Sequence, residues 1–209
     1  MTAPKKMAKS AGPFSFNEPS LKCVAQIMKR YPPDRKASAV MPLLDLAQRQ
    51  NGGWLSEEAV RYVATFLAIP EIRAWEVTTF YSMYHLSPRG KHLVNVCTTT
   101  PCWLRGSDKI MRVCEKWLGI KKGETTSDKM FSLREVECLG ACVNAPLMEI
   151  DDHYFEDLDE ASVEHILQAF AEGKMPIPGP QNGRNASEPL KRAAVHTSQD
   201  MKEDAGQKR

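Results

Sequence analysis

Six cysteines lie in the 209 residues, and four of them fall into two close pairs. Val96-Cys97-Thr98-Thr99-Thr100-Pro101-Cys102-Trp103 holds one pair, and Glu137-Cys138-Leu139-Gly140-Ala141-Cys142-Val143 holds the other. The spacing is C-x4-C, an interval of 35 residues, then C-x3-C. Two tight loops presenting two thiolates each can close a tetrahedral site around zinc or grip a small iron–sulfur cluster. Both loops lie within or near the range of zinc knuckles, whose backbone amides wrap a single ion. A cluster of two ferric ions, two sulfides and four thiolates carries a charge of about −2 and needs hydrogen-bond donors around its sulfurs. Gly140, in a loop of small residues, would let the backbone pass close to such an anion, and Thr98, Thr99 and Thr100 offer hydroxyl donors. The plant-type ferredoxin spacing C-x4-C-x2-C is matched only in its first half. The C-x-x-C pair of thiol oxidoreductases is absent, which disfavours that chemistry.

Composition narrows the setting. At 42% hydrophobic, the chain can bury a core in one domain, or in one domain and a small companion. Its 28 Lys and Arg nearly balance 26 Asp and Glu, which argues against a nucleic-acid or polyanion binder. No apolar run approaches the roughly 20 residues of a membrane span. The start, Met1 to Lys9, is basic but is followed by no apolar segment, so no secretory signal is expected. It lacks Arg and amphipathic period, so no mitochondrial transit peptide is expected either. Six cysteines are too few for a disulfide scaffold in a chain this long, and close pairs read first as metal ligands or redox groups.

The pairs need elements to hold them. Residues 1–14 are expected to form a disordered arm. Residues 15–88 read as a four-helix bundle. Ser20, Ser38 and Ser56 are its expected caps, and Pro70 opens the fourth helix. The faces expected inward are Leu21, Val24, Ile27 and Met28; then Val40, Leu43, Leu44 and Ala47; then Val60, Val63, Ala64 and Leu67; then Ile72, Trp75, Thr79 and Met83. Residues 89–174 read as an α/β unit of thioredoxin-like size. A strand over Lys91–Val96 runs into Cys97, and a helix capped by Ser107 ends at Gly119. A strand over Phe131–Glu137 leads to Cys138, a hairpin turns at Asp151-Asp152-His153, and a helix capped by Asp159 ends at Gly173. Residues 175–209 read as an extended, polar, Pro/Gly-punctuated tail with no part in the core.

The sequence around both pairs resembles one family. Val96 to Ser107 and Glu135 to Pro146 are similar to the two signature loops of the thioredoxin-like 2Fe–2S subunit of respiratory complex I, the 24 kDa subunit family of NADH:ubiquinone oxidoreductase. Ser38 to Gln50 and Glu76 to Tyr84 are similar to that family's second and fourth helices. The resemblance runs over about residues 14–180 and is lost after Ser187-Glu188-Pro189. It implies a 2Fe–2S cluster held by Cys97, Cys102, Cys138 and Cys142. It further implies a larger flavoprotein partner that binds FMN and NADH, and further subunits of the complex's peripheral arm. The subunit itself would bind no substrate and hold no hydride-transfer residue. The implied place is the cytoplasmic face of a bacterial inner membrane, or the matrix side for a mature organellar form. The diaphorase subunit of a soluble NAD-linked hydrogenase or formate dehydrogenase is the near alternative, and a zinc-stapled interaction module the distant one.

Other residues carry weaker signals. Cys114, spaced with Ile110, Val113 and Trp117, reads as a small core residue, as does Cys23. Trp103 and Arg105 are candidates to shield or tune the cluster, set against plain packing and surface roles. His85, His92, His153, His165 and His196 show no partner spacing and are assigned no chemistry.

Overall fold

The computed structural model of the protein describes residues 12–189. Within them the chain is a mixed α/β protein with seven α-helices and five strands. It divides into two compact units, one of residues up to His92 with Thr125–Ser132, the other of Leu93–Glu124 with the residues from Leu133 on. Most of the arm expected over residues 1–14, and the tail beyond residue 189 with His196, lie outside the described residues.

In the first unit, helix α1 (Glu18–Met28) is capped by Asn17 and not by Ser20. The Asn17 side chain accepts the Ser20 amide at 2.9 Å, and a proline in the first turn presets the helical backbone. Ser38 caps nothing either. A 3-10 helix over Pro33–Ala39 runs straight into α2 (Val40–Gln50), and the Val40 amide bonds the Ala37 carbonyl, so backbone closes the junction. Helix α3 (Glu57–Phe66) begins as its sequence dictates. Ser56 Oγ accepts the Ala59 amide at 3.2 Å, with Glu57 and Glu58 at the positive end of the helix dipole.

Helix α4 (Glu71–Phe80) buries a different face from the expected one. Ala74 and Thr78 are inside, Trp75 is half-buried, Ile72 is 62% exposed, and Thr79 and Met83 are also exposed. Apolar residues ring this helix, so spacing alone does not select its buried side. Leu43, Leu44, Leu55, Val60 and Val63 fill the core of the unit. Phe14, expected in the arm, packs edge-on against Phe16 and Tyr62. Gln48 ties chain segments together, donating to the Met83 carbonyl and accepting from the His85 amide. Cys23 is exposed, outside this core.

The second unit is built on a sheet of strand order β2-β1-β3-β4-β5. Strand β1 (His92–Cys97) pairs antiparallel with β3 (Met148–Ile150), Val96 opposite Met148. Strand β3 pairs with β4 (His153–Glu156) as the expected hairpin, Ile150 opposite His153. Strand β2 (Phe131–Val136) flanks β1 and ends just before Cys138. The tail contributes β5 (Gly179–Pro180), parallel to β4, which its polar composition had not suggested.

Helix α5 (Thr100–Leu104) follows Cys97, where a simple turn was expected; Pro101 in its first turn starts it. Helix α6 (Ser107–Leu118) is preceded by Gly106 at φ +91°, so Ser107 is its first residue and not its cap. Gly119 ends α6 as expected, at φ +67°. Helix α7 (Glu160–Ala171) carries a full capping box: Asp159 accepts the Ser162 amide at 2.8 Å, and the Ser162 hydroxyl meets the Asp159 amide. Leu133, Met148, Ile150, Phe155, Ile166 and Leu167 form the buried centre, with Cys114 buried as expected.

The Ser162 amide and hydroxyl hold the Asp159 carboxyl below the usual carboxylate range. The cap therefore stabilises above the carboxyl's unfolded pKa and is lost as pH falls through the folded one. Asp159→Ala should lower stability by about 1 kcal/mol in urea unfolding near neutral pH, and by less in acid. Ser38→Ala should stay within about 0.5 kcal/mol of the parent.

Candidate functional site

Both cysteine pairs belong to the second unit. Cys97 is the last residue of β1, and its amide donates to the Leu147 carbonyl at 3.3 Å. The chain then turns into α5, which carries Cys102 inward, and both cysteines are fully buried. Cys138 and Cys142 flank the loop that follows β2, with Cys138 exposed and Cys142 half-buried. Their sulfurs are 3.4 Å apart. Cys97, Cys102, Ala145 and Leu147 make a small apolar cluster, against which Leu139, Ala141 and Tyr154 pack.

Hydrogen bonds cross between the loops. The Thr98 amide donates to the Val136 carbonyl at 3.4 Å and the Thr98 hydroxyl to Glu135, both just ahead of the second loop, and Arg105 bonds the Ala145 carbonyl beyond it. The Thr99 hydroxyl lies 3.3 Å from Cys97 Sγ. The Gly140 amide points at Cys138 Sγ from 3.4 Å. Gly140 sits at φ +86°, and no atom within 4 Å would meet a Cβ built there, so the left-handed backbone and not a close approach calls for glycine.

These donors divide the thiols. Burial pushes Cys97 up, but the Thr99 hydroxyl and the Leu139 and Thr99 amides outweigh it, and the thiol falls below its ordinary value. Cys102 is pushed up to about 12, by burial first and then by its contact with Cys97. The Gly140 amide and the Cys142 thiol hold Cys138 low, while Cys142, donating to Cys138 and partly desolvated, is raised.

The remaining sequence candidates separate clearly. Of the three threonines only Thr99 reaches a sulfur; Thr98 donates to Glu135 at 2.9 Å and Thr100 is exposed. Trp103 is 61% exposed, a poor shield. Arg105 reaches the second loop, Nε 3.4 Å from the Ala145 carbonyl. Two groups escaped the sequence reading. Tyr154 donates its hydroxyl to the Leu139 carbonyl at 2.9 Å, and Arg184 of the tail pairs with Asp157 and with the Val143 carbonyl. No spacing links either to the cysteines.

Cys138 and Cys142 stand as a close pair of sulfurs, Cys97 and Cys102 share one buried apolar cluster, and the Gly140 amide and Thr99 hydroxyl face sulfurs of the two loops. A cluster of two irons held by four thiolates, and needing donors for its negative charge, is a group these residues fit.

A family model for the thioredoxin-like [2Fe-2S] ferredoxins matches residues 24–171, and the chain belongs to that family. Among its relatives is an NADH-quinone oxidoreductase subunit of Rickettsia typhi, 59% identical over 157 residues, which cover 75% of this chain and 92% of that one. The mitochondrial NADH dehydrogenase [ubiquinone] flavoprotein 2 of Dictyostelium discoideum is 49% identical over 176 residues, 84% of this chain and 71% of that one. A crystal structure of an NAD+-reducing [NiFe]-hydrogenase shares the fold at TM-score 0.54 and 18% identity, over 62% of this chain and 23% of that one.

In metal-free protein at mildly alkaline pH, iodoacetamide should modify Cys138 before Cys142, with Cys102 slowest, as read by peptide mass spectrometry. Equal rates at the three would contradict the donor pattern.

Proposed function

We propose that this chain is the electron-transfer subunit of a proton-pumping NADH:quinone oxidoreductase, with one 2Fe–2S cluster held by Cys97, Cys102, Cys138 and Cys142. The observation that carries the reading is the two cysteine segments joined by hydrogen bonds, the Cys97 amide to the Leu147 carbonyl and Arg105 to the Ala145 carbonyl, in a chain of this family whose NADH-quinone oxidoreductase relatives match it along most of its length. When bound, such a cluster accepts and returns single electrons, here with the FMN of a flavoprotein partner that binds NADH.

The chain's own part is positioning and electrostatics. Strand β1 and helix α5 bury two thiolates. The Gly140 amide and the Thr99 hydroxyl aim partial positive charge at the Cys138 and Cys97 sulfurs and so favour the extra electron. The second loop leaves Cys138 at the surface, and Val143, Trp103 and Leu104, each next to a cysteine or within two residues of one in sequence, are exposed apolar side chains, which supports a partner's approach to the cysteine loops. No residue is assigned to hydride transfer.

Residues 15–88 are read as a helical bundle and residues 89–174 as the ferredoxin domain. The subunit belongs to the peripheral arm on the cytoplasmic face of an inner membrane, or on the matrix side in an organelle. Among the described residues no helix is long and apolar enough to cross a membrane. A chain of an NAD+-reducing [NiFe]-hydrogenase shares the fold, but the high-identity relatives named above favour the quinone-linked complex over the diaphorase alternative.

Purified protein should contain iron and acid-labile sulfide and give a low-temperature EPR signal after dithionite reduction. Cys138→Ala should abolish that signal. A colourless protein with one zinc per chain would replace the electron carrier with a zinc-stapled module.

A further inference from the structure

The stretch after Cys142 has little regular structure of its own, a short 3-10 turn over Cys142–Asn144 and then irregular chain to β3. Its carbonyls are met largely from elsewhere in the unit. Asn144 O accepts the Asp157 amide at 2.7 Å, Ala145 O receives Arg105, and Pro146 O accepts the Leu158 amide at 3.0 Å. The carbonyl next to the cysteine, Val143 O, is met from the C-terminal tail: Arg184 Nη2 donates to it at 2.8 Å.

Arg184 is not a surface cation. Its side chain is 9% exposed and that of Asp157 is 5% exposed, and the two form a bidentate pair, Nε to Oδ2 and Nη2 to Oδ1, each at 2.7 Å. Its Nη1 donates to the Glu188 carbonyl at 3.1 Å, which folds the tail back on itself. The tail adds a second tie, since Asn144 Nδ2 donates both to Glu156 at 2.7 Å and to the Ala186 carbonyl at 2.9 Å. Pairing of β5 with β4 and the Gln181 amide on Glu156 O bring the strap to this place. A planar guanidinium can serve a carboxylate and a carbonyl together, whereas an ammonium cannot reproduce that fork.

We propose that Arg184 is a positioning residue for Cys142, and that the strap of residues 179–188 serves as a clamp on the second cysteine loop. Asp157 orients the guanidinium, and the guanidinium fixes the Val143–Asn144 peptide, one residue beyond Cys142, and through it the direction of that sulfur. The inference rests on Cys142 being a cluster ligand, but the clamp is made of the chain's own atoms and can also be tested in protein stripped of metal.

The test compares the parent with Arg184→Met, Arg184→Lys and the double variant Arg184→Met with Asp157→Leu. The single methionine variant leaves a buried carboxylate without its partner and will be destabilised for that reason alone. The double variant removes both charges and should melt near the parent. In metal-free protein, iodoacetamide labelling of Cys142 should rise about tenfold in all three, the response to losing one hydrogen bond from a charged donor. Cys114, buried in the same unit, is the internal control and should stay protected in the double variant. In the full chain carrying its cluster, the double variant should also shift the EPR line positions of the reduced protein. A double variant that labels Cys142 at the parental rate, or gives a parental EPR signal, would overturn the clamp. A parent chain that binds no iron would overturn the electron-carrier reading instead and leave the labelling comparison standing.

Discussion

Four sulfurs that carry negative charge repel one another when gathered in a small volume, and burial strips them of water. Such a group persists only where donors replace the lost hydration. The Gly140 amide faces the Cys138 sulfur and the Thr99 hydroxyl the Cys97 sulfur, while the Cys97 amide and Arg105 bond carbonyls of the second cysteine segment. Neither loop completes its own environment. The requirement that two segments 35 residues apart meet is what the sheet answers, with β1 ending in one loop and β2 leading to the other.

The two halves of the site meet that requirement differently. Cys97 and Cys102 stand on a strand end and a helix, where backbone partners are supplied locally and both thiols can be fully buried. Cys138 and Cys142 stand on an irregular loop with a left-handed glycine. Buried peptide groups in irregular chain must find partners elsewhere, and this loop draws on β4 through Tyr154, on α5's end through Arg105 and on the tail through Arg184. The exposed face of the site therefore depends on long-range contacts more than the buried one does.

Much of this was legible in the residues. Cysteine spacing together with flanking sequence marked the loops, and strands ending at them followed from short apolar runs. Ser56, Asp159 and Gly119 acted at helix ends as their types require. Ser20, Ser38 and Ser107 did not, because each had a better competitor nearby: Asn17 ahead of a proline, a 3-10 helix closing onto α2, and Gly106 in a left-handed turn. Capping residues are common near helix starts, and one chain position wins only by local backbone geometry. The inward face of α4 was illegible because tertiary packing chooses among several apolar sides.

The tail marks the limit of reading by composition. Residues 175–189 are polar and rich in Pro and Gly, which argues for a segment without a core role. A single arginine reverses that argument, because a buried bidentate pair depends on one partner's position and not on average polarity. Removing one member of such a pair costs about 3–5 kcal/mol because the other charge is left buried and unpaired, so the pair fixes where the strap sits more than it adds net stability. Asp157 lies 27 residues before Arg184, and no periodic pattern connects them. Their encounter needs β4 and β5 side by side first, so the pairing is a consequence of the fold and only then a support for the loop beside Cys142. Because that pairing depends on contacts distant in sequence, the loop beside Cys142 is the part of the site most exposed to changes made far away in the chain.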